Sequence, residues 1–184
     1  MTKIVHIGGP KGVGKTSVSE AVKTVVSDAN FSLAVLSGSS QVYDEGRRMF
    51  NKEWSELTEN QRKQARQKSW ETVTKLPYDV VLLDSHYVDI GDGHYKIILD
   101  EGLWKDINYH VVLEAPIEMI LLRRRNDQSR DRGLDINEIK YEAEAERSVA
   151  EYIARKTNVG ISIIQTDDFG NAVKGLYELL RRLR

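Results

Sequence analysis

The chain has no cysteine, only three prolines and 8% aromatic residues in 184 positions. Without thiols it forms neither disulfides nor thiolate metal sites, which fits a cytoplasmic setting. No apolar run approaches the roughly 20 residues that a membrane span needs, so no membrane association is expected. Met1-Thr2-Lys3 leads straight into an apolar run, and no signal peptide is read there. A net charge of −1 gives no support to a nucleic-acid partner or a membrane surface. Internal repeats, low-complexity segments and linker-like shifts of composition are missing too. What remains is 40% hydrophobic and 30% charged, and suits one domain over residues 1–184 with a sizeable core.

Strand-like and helix-like segments alternate along the chain, which predicts an α/β fold with a mainly parallel sheet. The strands are expected at 3–8, 31–37, 78–84, 109–114 and 159–165, and a Gly38-Ser39-Ser40 turn closes the second. Helices are expected at 17–28, 41–50, 58–76, from Pro116 onward, at 136–156 and at 171–183. The 58–76 segment is so polar that it should lie on the surface with a narrow buried stripe. Two β-like runs flank Gly91-Asp92-Gly93, the pattern of a hairpin or a long structured loop.

Between the first strand and the first helix stands Gly9-Pro10-Lys11-Gly12-Val13-Gly14-Lys15-Thr16, followed by Ser17, a match to G-x-x-x-x-G-K-[ST]. Strand, glycine loop and helix are the context such a loop needs to bind phosphate. Its backbone N–H groups turn inward and the helix N-terminus adds partial positive charge. Lys15 would reach the β- and γ-phosphates of a nucleoside triphosphate, and the Thr16 hydroxyl would meet Mg²⁺. ATP and Mg²⁺ are therefore the expected cofactors.

In open α/β sheets ligands sit beyond the carboxyl ends of the strands. Asp84 ends the third strand, where a carboxylate can hold Mg²⁺ directly or through water, so Thr16 and Asp84 form the candidate metal pair. Ser85 and His86 follow at the mouth of the same crevice. Further along, 123–132 carries five arginines in ten residues and runs into a turn at Gly133. Phosphoryl transfer needs positive charge over the γ-phosphate, often delivered by a closing element. Arg147 stands among acidic residues (Glu142, Glu144, Glu146, Glu151) and is open to either a salt-bridging or a phosphate-contacting role.

The loop at 8–16, Leu-Leu-Asp-Ser-His at 82–86 and Arg-Arg-Arg-Asn-Asp-Gln-Ser-Arg-Asp-Arg at 123–132 together resemble the archaeal-type adenylate kinases, which are P-loop nucleoside monophosphate kinases. The likeness runs over essentially the whole chain, and 126–132 is its most specific part. It implies a P-loop NTPase fold of three α/β/α layers around a five-stranded parallel sheet. It also implies an acceptor-binding segment at about 38–76 and a lid at about 128–136. Arg130, Arg132 and Arg147 become lid and transfer residues by resemblance, and Arg124 takes a place near the donor base. Nucleotide substrates are implied as partners, and a homotrimer as the assembly.

Two departures fall on the acceptor side. The family's arginine before the second-region helix has no counterpart in Glu53-Trp54-Ser55-Glu56-Leu57, where Arg47, Arg48 or Arg62 would have to substitute. The family's Gly/Pro-rich loop after the Asp-x-His motif is replaced by Gly93-His94-Tyr95-Lys96-Ile97-Ile98-Leu99. Ser39, Ser40, Arg47 and His86 are the candidates for holding the acceptor, with AMP the leading choice. A kinase for a hydroxyl-bearing, non-nucleotide acceptor would instead want a base, Asp84 or His86. A nucleotide-binding regulator or weak NTPase is the third reading, and the lack of an Asn-Lys-x-Asp motif speaks against a GTPase switch.

Overall fold

The computed structural model describes residues 2–26, 31–91, 94–97, 104–127 and 132–184. Five parallel strands form the central sheet: β1 (Lys3–Gly8), β2 (Leu33–Ser37), β3 (Val80–Asp84), β6 (Tyr109–Glu114) and β7 (Gly160–Gln165). Their order is β2-β3-β1-β6-β7, with Ile7 opposite Asp84 on one side and Val111 on the other. The chain leaves β1 where the strand order reverses, so the glycine loop opens into the crevice where α/β sheets take ligands.

Side chains alternate across the sheet and fill two cores. On one face Val5, Ile7, Leu82, Val111 and Leu113 pack against Val18 and Val22 of α1 (Lys15–Val26) and Leu176 and Leu180 of α6 (Phe169–Leu183). The opposite face sets Ile4, Val81 and Val112 against Val73 of α3 (Glu59–Val73) and Val149 and Ile153 of α5 (Ile136–Thr157). Burial on both faces is why these strands read as continuous apolar runs. The surface helix α3 buries only Ala65, Ser69 and Val73, the narrow stripe expected of it. β4 (Val88–Gly91) and β5 (His94–Ile97) pair antiparallel as the foreseen hairpin.

Two of the boundaries that differ from expectation border the cleft. Residues 38–40 do not form a turn; they are the first turn of α2 (Gly38–Phe50), because the Ser37 side chain caps it by accepting the Ser40 N–H. A β-carbon at Gly38 would stand 2.9 Å from the Ser85 hydroxyl, so glycine lets α2 start against the end of β3. Helix α1 begins two residues early, at Lys15, since the glycine loop feeds directly into its first turn.

The second core contains an unusual knot of rings. His6 of β1 lies beside the rings of Tyr87, Trp104 and His110 at centroid distances of 4.3, 5.0 and 6.0 Å. Tyr87 Oη and His110 Nδ1 share a 2.9 Å hydrogen bond, while both nitrogens of His6 lie buried without a partner. Burial lowers the pKa of His110 from 6.5 to about 4 and holds His6 well below 6.5, with the His110 and His86 charges adding to the depression at His6. Both imidazoles fold as neutral groups. The unfolded chain therefore binds protons that the native chain refuses as pH falls below 6.5. Stability should be level above that pH and should decline between 6.5 and about 4. Urea midpoints across this window should fall less steeply for His110→Gln, and an unchanged slope would contradict the assignment.

Candidate functional site

A cleft of about 1080 Å³ runs along the carboxyl ends of the strands, from the glycine loop to α2 and α3. The loop is shaped by backbone that ordinary residues avoid. Gly9 has φ of 134°, and a β-carbon there would stand 2.5 Å from the Leu113 carbonyl oxygen. Its entry is held from behind by two carboxylates of α5. Glu146 Oε2 accepts the Gly9 N–H at 2.8 Å, and Glu142 Oε1 accepts the Lys11 N–H at 2.7 Å. From the other side Arg123 and Thr166 donate to the Val13 carbonyl at 2.7 and 2.8 Å. Gly12, Val13, Gly14, Lys15, Thr16 and Ser17 are left lining the cleft.

Lys15 is buried and folds back to donate from Nζ to the carbonyl oxygens of Gly9, at 2.6 Å, and Pro10, at 3.4 Å. Burial lowers its pKa, and the carboxylates of Asp84, Glu146 and Glu142 pull it back up. The Thr16 hydroxyl donates to Asp84 Oδ2 at 3.1 Å, so the two candidate metal ligands are brought together at the mouth. A hydroxyl and a carboxylate side by side are hard oxygen donors, the kind Mg²⁺ uses when phosphates complete its shell. The pair fits that ion.

Ser39, Ser40, Tyr43, Trp54, Arg66 and Trp70 line the part of the cleft along α2 and α3, and His86 lines the same cleft. Trp54 is the hub: Tyr43 stands 5.0 Å from it, and the guanidinium groups of Arg62 and Arg66 lie over its ring at 5.6 and 5.8 Å. Arg66 is held at this wall by Glu59 at 2.7 Å.

Other candidates go elsewhere. Arg47 lies on the exposed side of α2 with Glu53 and Asp44 and does not line the cleft, because Glu53 supplies the closer charge. Arg147 is exposed and bonded to Glu114 and Glu151, away from the cleft. Arg124, placed by resemblance near the donor base, is buried instead. It sits in α4 (Ile117–Asn126), donates to the carbonyls of Lys11 and Gly133 at 2.9 and 3.0 Å, and pairs with Glu142. Each of its three nitrogens donates to an acceptor within the protein, and its side chain is 4% exposed. Arg132 lines the cleft and pairs with Asp127 at 3.2 Å. Arg130 lies outside the described residues.

Glu142, Glu146, Arg123 and Arg66 were not singled out from sequence. The signal was present for the two glutamates: with Ile139, Val149 and Ile153 they fall on the buried face of one helical period.

No family model matches the chain, and no curated protein does. Among solved structures, the fold is similar to that of a shikimate kinase from Bacteroides thetaiotaomicron, with a TM-score of 0.59 and 16% identity over 97% of this chain and 98% of that one. It is also similar to a gluconokinase from Sinorhizobium meliloti 1021, with a TM-score of 0.56 and 16% identity over 98% and 95%. The five-stranded parallel sheet with helices on both sides is the fold shared with these two structures. No helix among the described residues is long and apolar enough to cross a membrane.

Proposed function

We propose that the chain transfers the γ-phosphoryl group of a nucleoside triphosphate, ATP in the first instance, to the phosphate of a nucleoside monophosphate, with AMP the leading acceptor. The observation that carries this reading is the two-ended cleft: a phosphate loop with the Thr16–Asp84 pair at one end, and a wall of Tyr43, Trp54, Trp70 and Arg66 at the other. Rings and a guanidinium are what a planar base bearing an anionic phosphate requires. The resemblance to archaeal-type adenylate kinases and the kinase fold support the same reading.

In the transfer, an acceptor phosphate oxygen forms a bond to the γ-phosphorus while the bond to the β–γ bridging oxygen breaks, and the diphosphate leaves with the electron pair. A dianionic acceptor has no proton to lose, so no base is needed. Positioning and charge stabilisation do the work. Lys15 leaves the Gly9 and Pro10 carbonyls for the phosphates, the free loop amides bind them, and Arg132 brings charge from the lid side. Mg²⁺, held by Thr16 and Asp84, would supply charge neutralisation at the phosphate oxygens.

Asp84→Asn should raise the Mg²⁺ concentration for half-maximal rate at least tenfold, as expected when a charge-assisted contact of roughly 1.5–3 kcal/mol is lost. Mg²⁺ titrations of the two proteins test this. Arg66→Ala should raise the acceptor KM by about 10–100-fold and leave the ATP KM in place, again the scale of one ionic contact. An acceptor panel of AMP, CMP, UMP, GMP and dAMP, with shikimate and gluconate alongside, tests the function itself. Transfer to none of the monophosphates would overturn it.

The second reading, a kinase for a hydroxyl acceptor, is favoured by one contact: the His86 Nδ1 to Glu146 Oε1 pair at 3.2 Å, which resembles an oriented base. Transfer to shikimate or gluconate, and not to monophosphates, would select it.

A further inference from the structure

Glu146 is fully buried, and its partners come from two different segments, the start of the phosphate loop and the chain just after β3. Oε2 takes the Gly9 N–H at the start of the phosphate loop. Oε1 takes the Val88 N–H at 3.1 Å and the Tyr87 N–H at 3.1 Å, where the chain leaves β3 toward the β4–β5 hairpin. The same oxygen meets His86 Nδ1 at 3.2 Å. Three of these four partners are backbone N–H groups, which only donate. The carboxylate is therefore an acceptor throughout, and the His86 nitrogen facing it must carry a hydrogen. His86 lines the cleft and is 30% exposed in its side chain, and Nε2 is the ring nitrogen left over for a ligand.

We propose that Glu146 is a positioning residue for phosphoryl transfer, locking His86 with Nδ1–H turned inward so that Nε2 is presented to the acceptor, in fixed register with the phosphate loop. The inference rests on the phosphotransferase reading above. A clip that served the fold alone would need only the backbone partners; the imidazole, 30% exposed and lining the cleft, is a further partner that faces the site. One carboxylate shared by both segments fixes His86 relative to the phosphate loop, the kind of positioning on which an in-line displacement depends.

Nitrogen NMR of the histidine-labelled full chain reads the first arm. His86 is expected to carry hydrogen on Nδ1 in the wild type, and to lose that single arrangement in Glu146→Gln. The second arm is a double-mutant cycle with His86→Gln, read as kcat and the ATP KM on whichever acceptor the wild type uses. Each single variant should lose about 10²-fold in kcat with the ATP KM within a few-fold, the scale of one lost transition-state contact. The double variant should be no slower than the worse single one, since Glu146 acts through His86. Hydrogen found only on Nε2 in the wild type overturns the proposal, as do additive losses in the cycle. Should Glu146→Gln fail to fold, His86→Gln decides: unchanged kcat at an unchanged thermal midpoint overturns it. A wild type that transfers to no acceptor defeats the phosphotransferase reading instead, and the NMR arm still tests the locked imidazole.

Discussion

Lys15→Ala should lower phosphoryl transfer by about 10²–10³-fold while the protein melts within a few degrees of the wild type. The expectation follows from where the ammonium sits. In the free protein it rests on the Gly9 and Pro10 carbonyls, inside the loop proposed to receive the phosphates. Burial already disfavours its charge, and three carboxylates, Asp84, Glu146 and Glu142, offset that penalty. A group held charged at such a cost is poised to move onto a more strongly anionic partner. Removing it deletes two bonds to loop carbonyls and leaves the core untouched, so turnover falls and the fold survives. Lys15→Arg should not restore the rate, because a planar fork cannot occupy the space of a compact ammonium. Steady-state assays with saturating acceptor, paired with thermal melts, give both readouts. Wild-type turnover in Lys15→Ala would remove the loop from the reaction.

Arg124→Ala should have the opposite signature, with a large loss of stability. It would strand the buried Glu142 carboxylate without its cation and leave the Lys11 and Gly133 carbonyls without donors. Breaking a buried pair on one side typically costs about 3–5 kcal/mol. For a domain of this size that is a fall in melting temperature of roughly 10 °C or more. Replacing both partners, Arg124→Met with Glu142→Met, should recover part of the loss, since an apolar pair needs no compensation. Recovery stays partial because the Lys11 N–H also depends on Glu142. Were Arg124 a base-stacking residue, its loss would raise the ATP KM and leave the melt unchanged.

Arg124 also shows how far sequence alone can be read. The strands, the place of the glycine loop and the place of Asp84 were readable because each is local: an apolar run, a glycine pattern between a strand and a helix, and an acid at the end of an apolar run. All five sheet strands stand within two residues of where their apolar runs place them. Arginines were not readable in that way. Arg123, Arg124 and Arg132 share one basic segment, yet one holds a loop carbonyl, one is buried against Glu142 and one lines the cleft. Sequence spacing places a residue on a helix but does not say which carboxylate reaches it first. Arg47 illustrates the same limit, because it faces Glu53 on the exposed side of α2 and does not line the cleft. Arg66 looked like one more polar residue of a solvated helix, and only the fold of 54–73 brings Trp54 beneath it. Glu142 and Glu146 looked like salt-bridge partners for Arg147. Their partners include loop amides 131 and 137 positions away, a distance no local pattern reports.

Those long spans bear on how the molecule is made. The cradle is encoded within the first seventeen residues, but the groups that finish it come from 123 to 166, and Thr166 bonds to Val13 across 153 positions. A nascent chain emerging from the ribosome therefore carries the glycine motif long before it has a site. The proposed nucleotide capture should begin only once β7 has been released and docked, so products that stop short of Thr166 would lack affinity despite an intact signature sequence.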